Sequence, residues 1–203
     1  MTELKSIRAF LAIEPPESVR KAMETLQNRM KYSLSGAISW VRPTGIHLTL
    51  KFFGNIAETD VSRVSAAVGP VASRFGPLNL QVRHLGLFPD SRRPRVLWLG
   101  LEGDLGALKA LQQEVDQELM RYGFPREDRP FRAHLTLARI KSPRGLSGLD
   151  RVMNKGEAYE AGRFRAEGLT LFRSSLTPQG AIYSELAAYP FLSGGEFTPG
   201  KGI

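Results

Sequence analysis

His47-Leu48-Thr49-Leu50 recurs without a change as His134-Leu135-Thr136-Leu137, about half a chain away. The chain has only three histidines, and two of them open the same tetrapeptide. Each copy lies in a stretch that is apolar and β-branched or aromatic enough to read as a strand, 46–53 and 131–140. In a strand, residues i and i+2 share a face, so His47 stands beside Thr49 and His134 beside Thr136. The leucines turn the other way and can anchor each strand against helices. Two such strands facing one cleft, as an internally duplicated fold would place them, offer two imidazoles and two hydroxyls in mirrored positions.

Around the two copies, Ile7–Ile13 is a short apolar run ended by Glu14-Pro15-Pro16 and reads as a buried strand. Val19, Met23, Leu26 and Met30 then recur at helical spacing, behind prolines suited to a first helical turn. Trp40–Phe53 is extended around a turn at Arg42-Pro43-Thr44-Gly45, and its second strand is expected to stop at Gly54-Asn55. Val61, Val64, Val68 and Val71 share a helix face, with Gly69-Pro70 expected to kink or end that helix early. Leu78–Phe88 begins as an alternation that sets His84 on the face of Leu78, Leu80 and Val82, a structural position. Val96–Leu101 is the next strand. A helix follows from an Asp104 cap to Gly123, with Leu105, Leu108, Leu111, Val115, Leu119 and Tyr122 on its buried stripe. Beyond the second tetrapeptide, 142–155 is a weak helix or a loop, and Leu169–Arg173 and Ala181–Tyr189 are two strands joined by a turn at Thr177-Pro178-Gln179-Gly180. Trp40 and Trp98 are assigned to the core. Strands and helices intersperse without strict alternation, which predicts an α+β fold with antiparallel sheets. One domain is expected over 1–192, with a loose glycine- and proline-rich tail over 193–203.

The 203 residues include no cysteine, which excludes disulfides, thiolate nucleophiles, cysteine-ligated zinc and iron–sulfur clusters. Ala9–Ile13, bracketed by Arg8 and Glu14, is too brief for a secretory signal or a membrane span, so a cytoplasmic protein without a membrane partner is expected. The 28 Lys and Arg outweigh 20 Asp and Glu to give a formal charge of +8, which favours a polyanionic partner. Residues 195–201 superficially match a phosphate-binding loop, but Gly202 stands where Ser or Thr is required, so no nucleoside triphosphate is expected to take part. No G-x-S-x-G element is present either.

Histidine titrates near neutrality, at about pKa 6.5 when unperturbed, so one imidazole can serve as base while the other, protonated, serves as acid. Cleaving a phosphodiester needs that pair: one group takes a proton from the attacking oxygen and the other gives one to the leaving oxygen. Thr49 and Thr136 can donate to the non-bridging oxygens, where negative charge grows. Neither copy has Asp, Glu or Cys nearby at ligand spacing and there is no helical His-Glu-x-x-His, so chemistry without a metal or other cofactor is expected. Lys51 has the parity of His47 and Thr49, and Arg132 that of His134. Arg139 lacks that parity and reaches the phosphate only if its strand ends or bulges nearby. Phe53 lies on the His47 face if the first strand stays regular, where it could stack on a nucleobase, whereas Phe52 is expected in the core.

The chain resembles the two-histidine phosphoesterases, and among them the RNA 2′,3′-cyclic phosphodiesterases historically called 2′-5′ RNA ligases. The likeness covers nearly the whole chain. It is carried by the paired tetrapeptides, by Ile7–Ile13, by Trp40-Val41-Arg42-Pro43, by Pro94-Arg95-Val96-Leu97-Trp98 and by Phe131–Arg139. The resemblance implies two pseudo-symmetric α+β halves around a cleft, one His-x-Thr from each. It implies RNA ends carrying a 2′,3′-cyclic phosphate as substrate, opened to a 2′-phosphate, with reversible 2′-5′ ligation as a side activity. Arg139 matches the family's arginine after the second motif, a phosphate contact, and the analogy makes His47 the acid and His134 the base. Phe53, where the family more often has leucine, and Ala133, where proline often precedes the histidine, bear on base preference. A protein acting alone, as a monomer, is expected. Two other readings stay open: a non-catalytic RNA-end binder, and a phosphodiesterase for small cyclic nucleotides or 2′-5′ oligonucleotides.

Overall fold

A computed structural model describes residues 5–127, 129–155, 159–177 and 180–192; the expected tail over 193–203 and the Pro178-Gln179 step of the last turn lie outside them. The chain forms β1 (Ser6–Ile13), α1 (Glu17–Lys31), β2 (Ile38–Trp40), a 3₁₀ turn (Pro43–Gly45), β3 (Leu48–Ala57), α2 (Asp60–Ala72), β4 (Leu78–Phe88), β5 (Val96–Gly103), α3 (Leu105–Arg121), β6 (His134–Ile140), α4 (Leu149–Met153), β7 (Glu160–Ala166), β8 (Gly168–Thr177) and β9 (Gly180–Pro190). All strand pairings are antiparallel. Two sheets result, one in the order β3-β1-β8-β9 and the other β2-β6-β5-β4-β7. The fold is therefore α+β with antiparallel sheets. Among the described residues, no helix is long and apolar enough to cross a membrane.

Each sheet turns one face to the helices. The alternating Ala9, Leu11 and Ile13 of β1, Leu78, Leu80 and Val82 of β4, and Leu97, Leu99 and Leu101 of β5 join the α1 stripe Val19, Met23, Leu26 and Met30 in one buried cluster. At roughly 25 cal/mol per Å² of apolar surface removed from water, this shared core is the main stabilising term. The opposite faces carry the tetrapeptide histidines and threonines. The four-stranded sheet also places a small aromatic cluster there, Phe10 and Phe172 with Tyr183 beside them.

Several elements depart from the pattern-based expectation. β3 does not stop at Gly54-Asn55. Gly54 adopts a left-handed φ of +69°, and pairing with β1 runs on to Ser6↔Ala57. α2 is not cut short by Gly69-Pro70, because Pro70 falls in the last turn and burial of Val68, Val71 and Ala72 outweighs one lost N–H bond. Leu105 is exposed and not on the α3 stripe; the Asp104 carboxylate accepts the Asn79 amide at 2.7 Å instead of capping the helix. β6 opens at His134, leaving 131–133 outside the ladder. β7 escaped prediction because its buried residues, Ala161, Phe164 and Ala166, include only one large apolar side chain.

Lys51 shows what holds β3 to the helices. It is 5% exposed, with Nζ 2.5 Å from Asp116 Oδ1 on α3 and 2.6 Å from the Pro125 carbonyl. A buried charge is tolerable only when paired in this way, and removing one partner costs about 3–5 kcal/mol. Lys51→Met should therefore lower the thermal midpoint by roughly 10 °C. The double change Lys51→Met/Asp116→Leu should recover most of that loss. Calorimetry of both variants checks it, and equal losses in the two would show that the ion pair is not what matters there.

Candidate active site

The two tetrapeptides come together at the join between the sheets. β2 pairs with β6 with Trp40 opposite Ala138, and the Val41 amide donates to the Leu137 carbonyl at 2.9 Å. The buried Gln27 side chain of α1 clamps the same point, donating to the Val41 carbonyl at 2.8 Å and the Leu137 carbonyl at 2.9 Å. The chain then leaves the five-stranded sheet through the 3₁₀ turn and enters β3 of the other sheet, with His47 as the last residue before the strand. β3 packs against β6.

Each strand carries a one-residue slip at the fourth position of its tetrapeptide. Ala12 faces Thr49 and Leu11 faces Lys51, so Leu50 has no partner on β1. Trp98 faces Thr136 and Leu97 faces Ala138, so Leu137 has none on β5. A bulge of this kind reverses the side-chain parity beyond it. In β6 it brings Arg139 opposite Val96 and onto the side of His134 and Thr136, exposed to solvent. In β3 it does the reverse for the expected contacts. Lys51 turns into the core, and Phe53 packs on Phe124 with ring centroids 5.4 Å apart.

Phe52, the position in the first copy equivalent to Arg139 in the second, is 54% exposed on the histidine side. Its ring lies 5.9 Å from Phe10, in a cross-strand row Phe52, Phe10, Phe172. The expected places of Phe52 and Phe53 are thus exchanged, since the condition of a regular strand is not met. Sequence reading missed Phe52 because a bulge leaves no mark in residue type.

Both imidazoles have a backbone carbonyl beside them. His134 Nδ1 donates to the Arg132 carbonyl at 2.7 Å, which fixes the tautomer and leaves Nε2 for chemistry. The Gly45 carbonyl, again two residues back, stands near the His47 imidazole and favours its protonated form. His47 is 8% exposed and wedged among Phe172, Tyr183 and Phe10, at centroid distances of 4.7, 5.1 and 5.5 Å. Burial lowers its pKa to about 4, opposed by the Gly45 carbonyl and assisted by Arg20. Burial also lowers His134, opposed by the Arg132 carbonyl and assisted by the nearby Arg139 charge.

The ring of His134 rests on Phe88 at 4.9 Å, with Trp98 at 6.2 Å. Trp98, expected in the core, instead stands on the histidine face, where its buried Nε1–H has no hydrogen-bond partner. The Trp98 ring lies over Gly86, where a Cβ would come within 2.1 Å of it. Arg132 is exposed with its guanidinium 5.8 Å above the Phe88 ring. Trp40 packs on the core with Lys31 over its ring at 5.7 Å. His84 leaves the Leu78 face because β4 bulges there at a φ of +64°, and its Nε2 sits 2.5 Å from Glu102 Oε1. Among the described residues, no three His, Asp or Glu side chains gather into a set able to hold a metal ion.

Each sheet thus presents an imidazole and a strand threonine on the side away from the helices, with an exposed arginine beside the second pair, and the class of protein this pattern belongs to is the two-histidine phosphoesterases. The family model described as LigT like Phosphoesterase matches residues 13–98 and 100–183, one segment for each tetrapeptide, and the chain belongs to that family. The RNA 2′,3′-cyclic phosphodiesterase of Methanothermobacter thermautotrophicus is 34% identical over 90% of this chain and 98% of that protein. The enzyme of the same name from Aquifex aeolicus is 30% identical over 89% and 95%. Among solved structures, TT0787 of Thermus thermophilus matches with a TM-score of 0.73 at 29% identity, covering 91% of this chain and 97% of that one. Escherichia coli LigT complexed with 3′-AMP shares the fold, with a TM-score of 0.72 at 24% identity over 93% and 99%.

A buried, neutral His47 has a consequence for acid stability. Between pH 6.5 and about 4 the unfolded chain takes up a proton that the folded imidazole refuses. The stability it confers is complete above pH 6.5 and is lost as pH falls through that window, up to about 3 kcal/mol. His47→Gln, which cannot titrate, should flatten this part of the denaturation-versus-pH curve; an unchanged curve would show that His47 is charged or exposed in the folded state.

Proposed function

We propose that this protein is an RNA 2′,3′-cyclic phosphodiesterase that opens the cyclic ester to a 2′-phosphate by metal-independent acid–base catalysis. The observation that carries the reading is the matched setting of two imidazoles, each at the head of the same strand tetrapeptide with a backbone carbonyl two residues back beside it, His134 donating its Nδ1–H to that carbonyl and keeping Nε2 for chemistry. Water attacks phosphorus in line with the 3′ oxygen. One histidine takes a proton from that water, a P–O bond forms, the bond to the 3′ oxygen breaks, and the other histidine delivers a proton to that oxygen. Each transfer is worth roughly 10²–10⁴-fold in rate. Thr49, Thr136 and Arg139 hold the non-bridging oxygens as charge builds on them. With the 5′ hydroxyl of a second RNA end in place of water, the same steps join the two ends: the P–O bond to the 5′ oxygen forms, the bond to the 3′ oxygen breaks, and a 2′-5′ linkage results.

In the free protein both histidine pKa values are lowered, that of His47 to about 4, so neither imidazole arrives protonated at neutral pH. The negative charge of the bound phosphate raises both values, and the imidazole beside the leaving oxygen gains its proton in the complex. His47, the acid by analogy with the family, acts as one only with substrate bound. The donors present are imidazoles and hydroxyls without a carboxylate beside them, a set suited to an anion and poor for a divalent cation. Phe52, exposed beside the Phe10 and Phe172 rings, supplies a face on which the terminal base stacks.

With EDTA present, the wild-type protein should convert a 2′,3′-cyclic RNA end to a 2′-phosphate, while His47→Ala and His134→Ala should each lose at least about 10²-fold in kcat. Phe52→Ala should raise KM with little change in kcat, and Phe53→Leu should leave both near wild type. Full activity in either histidine variant, or a 3′-phosphate product, would contradict the mechanism.

A further inference from the structure

Many of the protein's cations are neutralised locally: Arg20 pairs with Glu14, Arg63 with Asp60, Arg74 with Glu114 and Arg83 with Glu102. Six others collect at one end of the five-stranded sheet. Arg92, Arg93 and Arg95 lie in the β4–β5 connection, Arg139 and Lys141 at the end of β6, and Arg144 just beyond. All six are exposed, and among the described residues none has an acidic partner.

These residues are tied into one surface. Arg139 faces Val96 across the ladder. The Ile140 amide donates to the Arg95 carbonyl at 2.9 Å, and the Arg95 guanidinium donates to the Lys141 carbonyl at 3.3 Å. The one acid in the connection, Asp90, is committed to the backbone, accepting the amides of Arg92 at 2.8 Å and Arg93 at 3.0 Å. It shapes the loop and pairs with neither guanidinium. The connection starts immediately after Phe88, whose ring touches His134. The charged edge therefore begins beside the catalytic face, with Arg139 as its innermost member, and runs outward.

We infer that this edge is a track for the phosphates of the RNA strand upstream of the cyclic end, which gives RNA polymers an advantage in binding over mononucleotides. The inference rests on the reading of the site as an RNA-end phosphodiesterase. Mutual repulsion of six unpaired cations is relieved when a polyanion lies along them, and each neutralised phosphate releases counterions. The edge is built of cations without a pocket of base-reading groups, so binding along it is independent of sequence and sensitive to salt.

The test pairs binding with turnover. Affinity for an oligoribonucleotide about ten residues long ending in a 2′-phosphate is measured by fluorescence anisotropy across a salt series. Hydrolysis of a nucleoside 2′,3′-cyclic phosphate is measured alongside. Arg92→Ala/Arg93→Ala/Lys141→Ala should weaken oligonucleotide binding at least about tenfold at low salt and make the log–log salt slope shallower by about 2. Its kcat/KM on the mononucleotide should match wild type. The charge-matched control Lys21→Ala/Lys109→Ala/Arg121→Ala, on the helices, should bind as wild type does. Unchanged affinity and slope in the first variant, or equal losses in both, would overturn the track. Wild type that opens neither the mononucleotide nor a 2′,3′-cyclic oligoribonucleotide, while the first variant still loses RNA affinity, would sink the reaction reading and leave the track standing.

Discussion

Everything at this site depends on two bulges. Leu50 and Leu137, the fourth residues of the two tetrapeptides, each stand without a partner in the neighbouring strand. Both are buried leucines that would keep strict alternation in a regular strand. Because each is an extra residue, the next one, Lys51 or Ala138, also points into the core, and the one after that returns to the histidine face. The duplicated tetrapeptide is thus a duplicated backbone device. It sets His and Thr on one side and then brings a second, non-identical pair to the same side: Arg139 from one copy and Phe52 from the other. In the proposed mechanism the first serves the phosphate and the second the base, a division of labour between repeats that share their backbone but not their fifth and sixth residues.

Much of this was legible in the sequence because hydrophobic spacing and a repeated motif report periodicity directly. The α1 stripe from Val19 to Met30, the strands around both tetrapeptides, the α+β class and the kinship of the two halves all follow from such patterns. What stayed hidden is local backbone geometry. The bulge that rescues Arg139 and the bulge that removes Lys51 and Phe53 from the face are the same feature, and leucine at the slipped position gives no sign of it. The left-handed turns at Gly54 and His84 likewise decide where β3 continues and where a histidine leaves its face. β7, with small and charged residues, forms because an edge is there to pair with. Trp98 looked like core because a large apolar residue in a strand usually is; its partner across the ladder is Thr136, which places it on the working face.

His47 is buried and His134 half-buried, and both are short of protons. Aromatic rings pack against both, and in each case a backbone carbonyl lies two residues back, the Arg132 carbonyl accepting the His134 Nδ1–H. Burial on this scale disfavours the imidazolium until a negative charge arrives, so in the proposed mechanism the phosphate itself completes the acid–base pair. Gln27 and the Val41–Leu137 hydrogen bond fasten the end of β2 to β6 where the chain turns toward β3, and the Lys51–Asp116 pair ties β3 to the helical layer behind it. Precision at the site is therefore supplied by buried polar contacts, while the apolar core supplies most of the stability.

The central claim is that both halves act on one phosphate. It is tested most directly by following the ¹⁵N resonances of His47 and His134 while a nucleoside 2′-monophosphate is added to the protein. A single equivalent should move the ring-nitrogen signals of both histidines together and raise both pKa values. A shift confined to one histidine, or separate midpoints for the two, would show that the tetrapeptides do not share a phosphate.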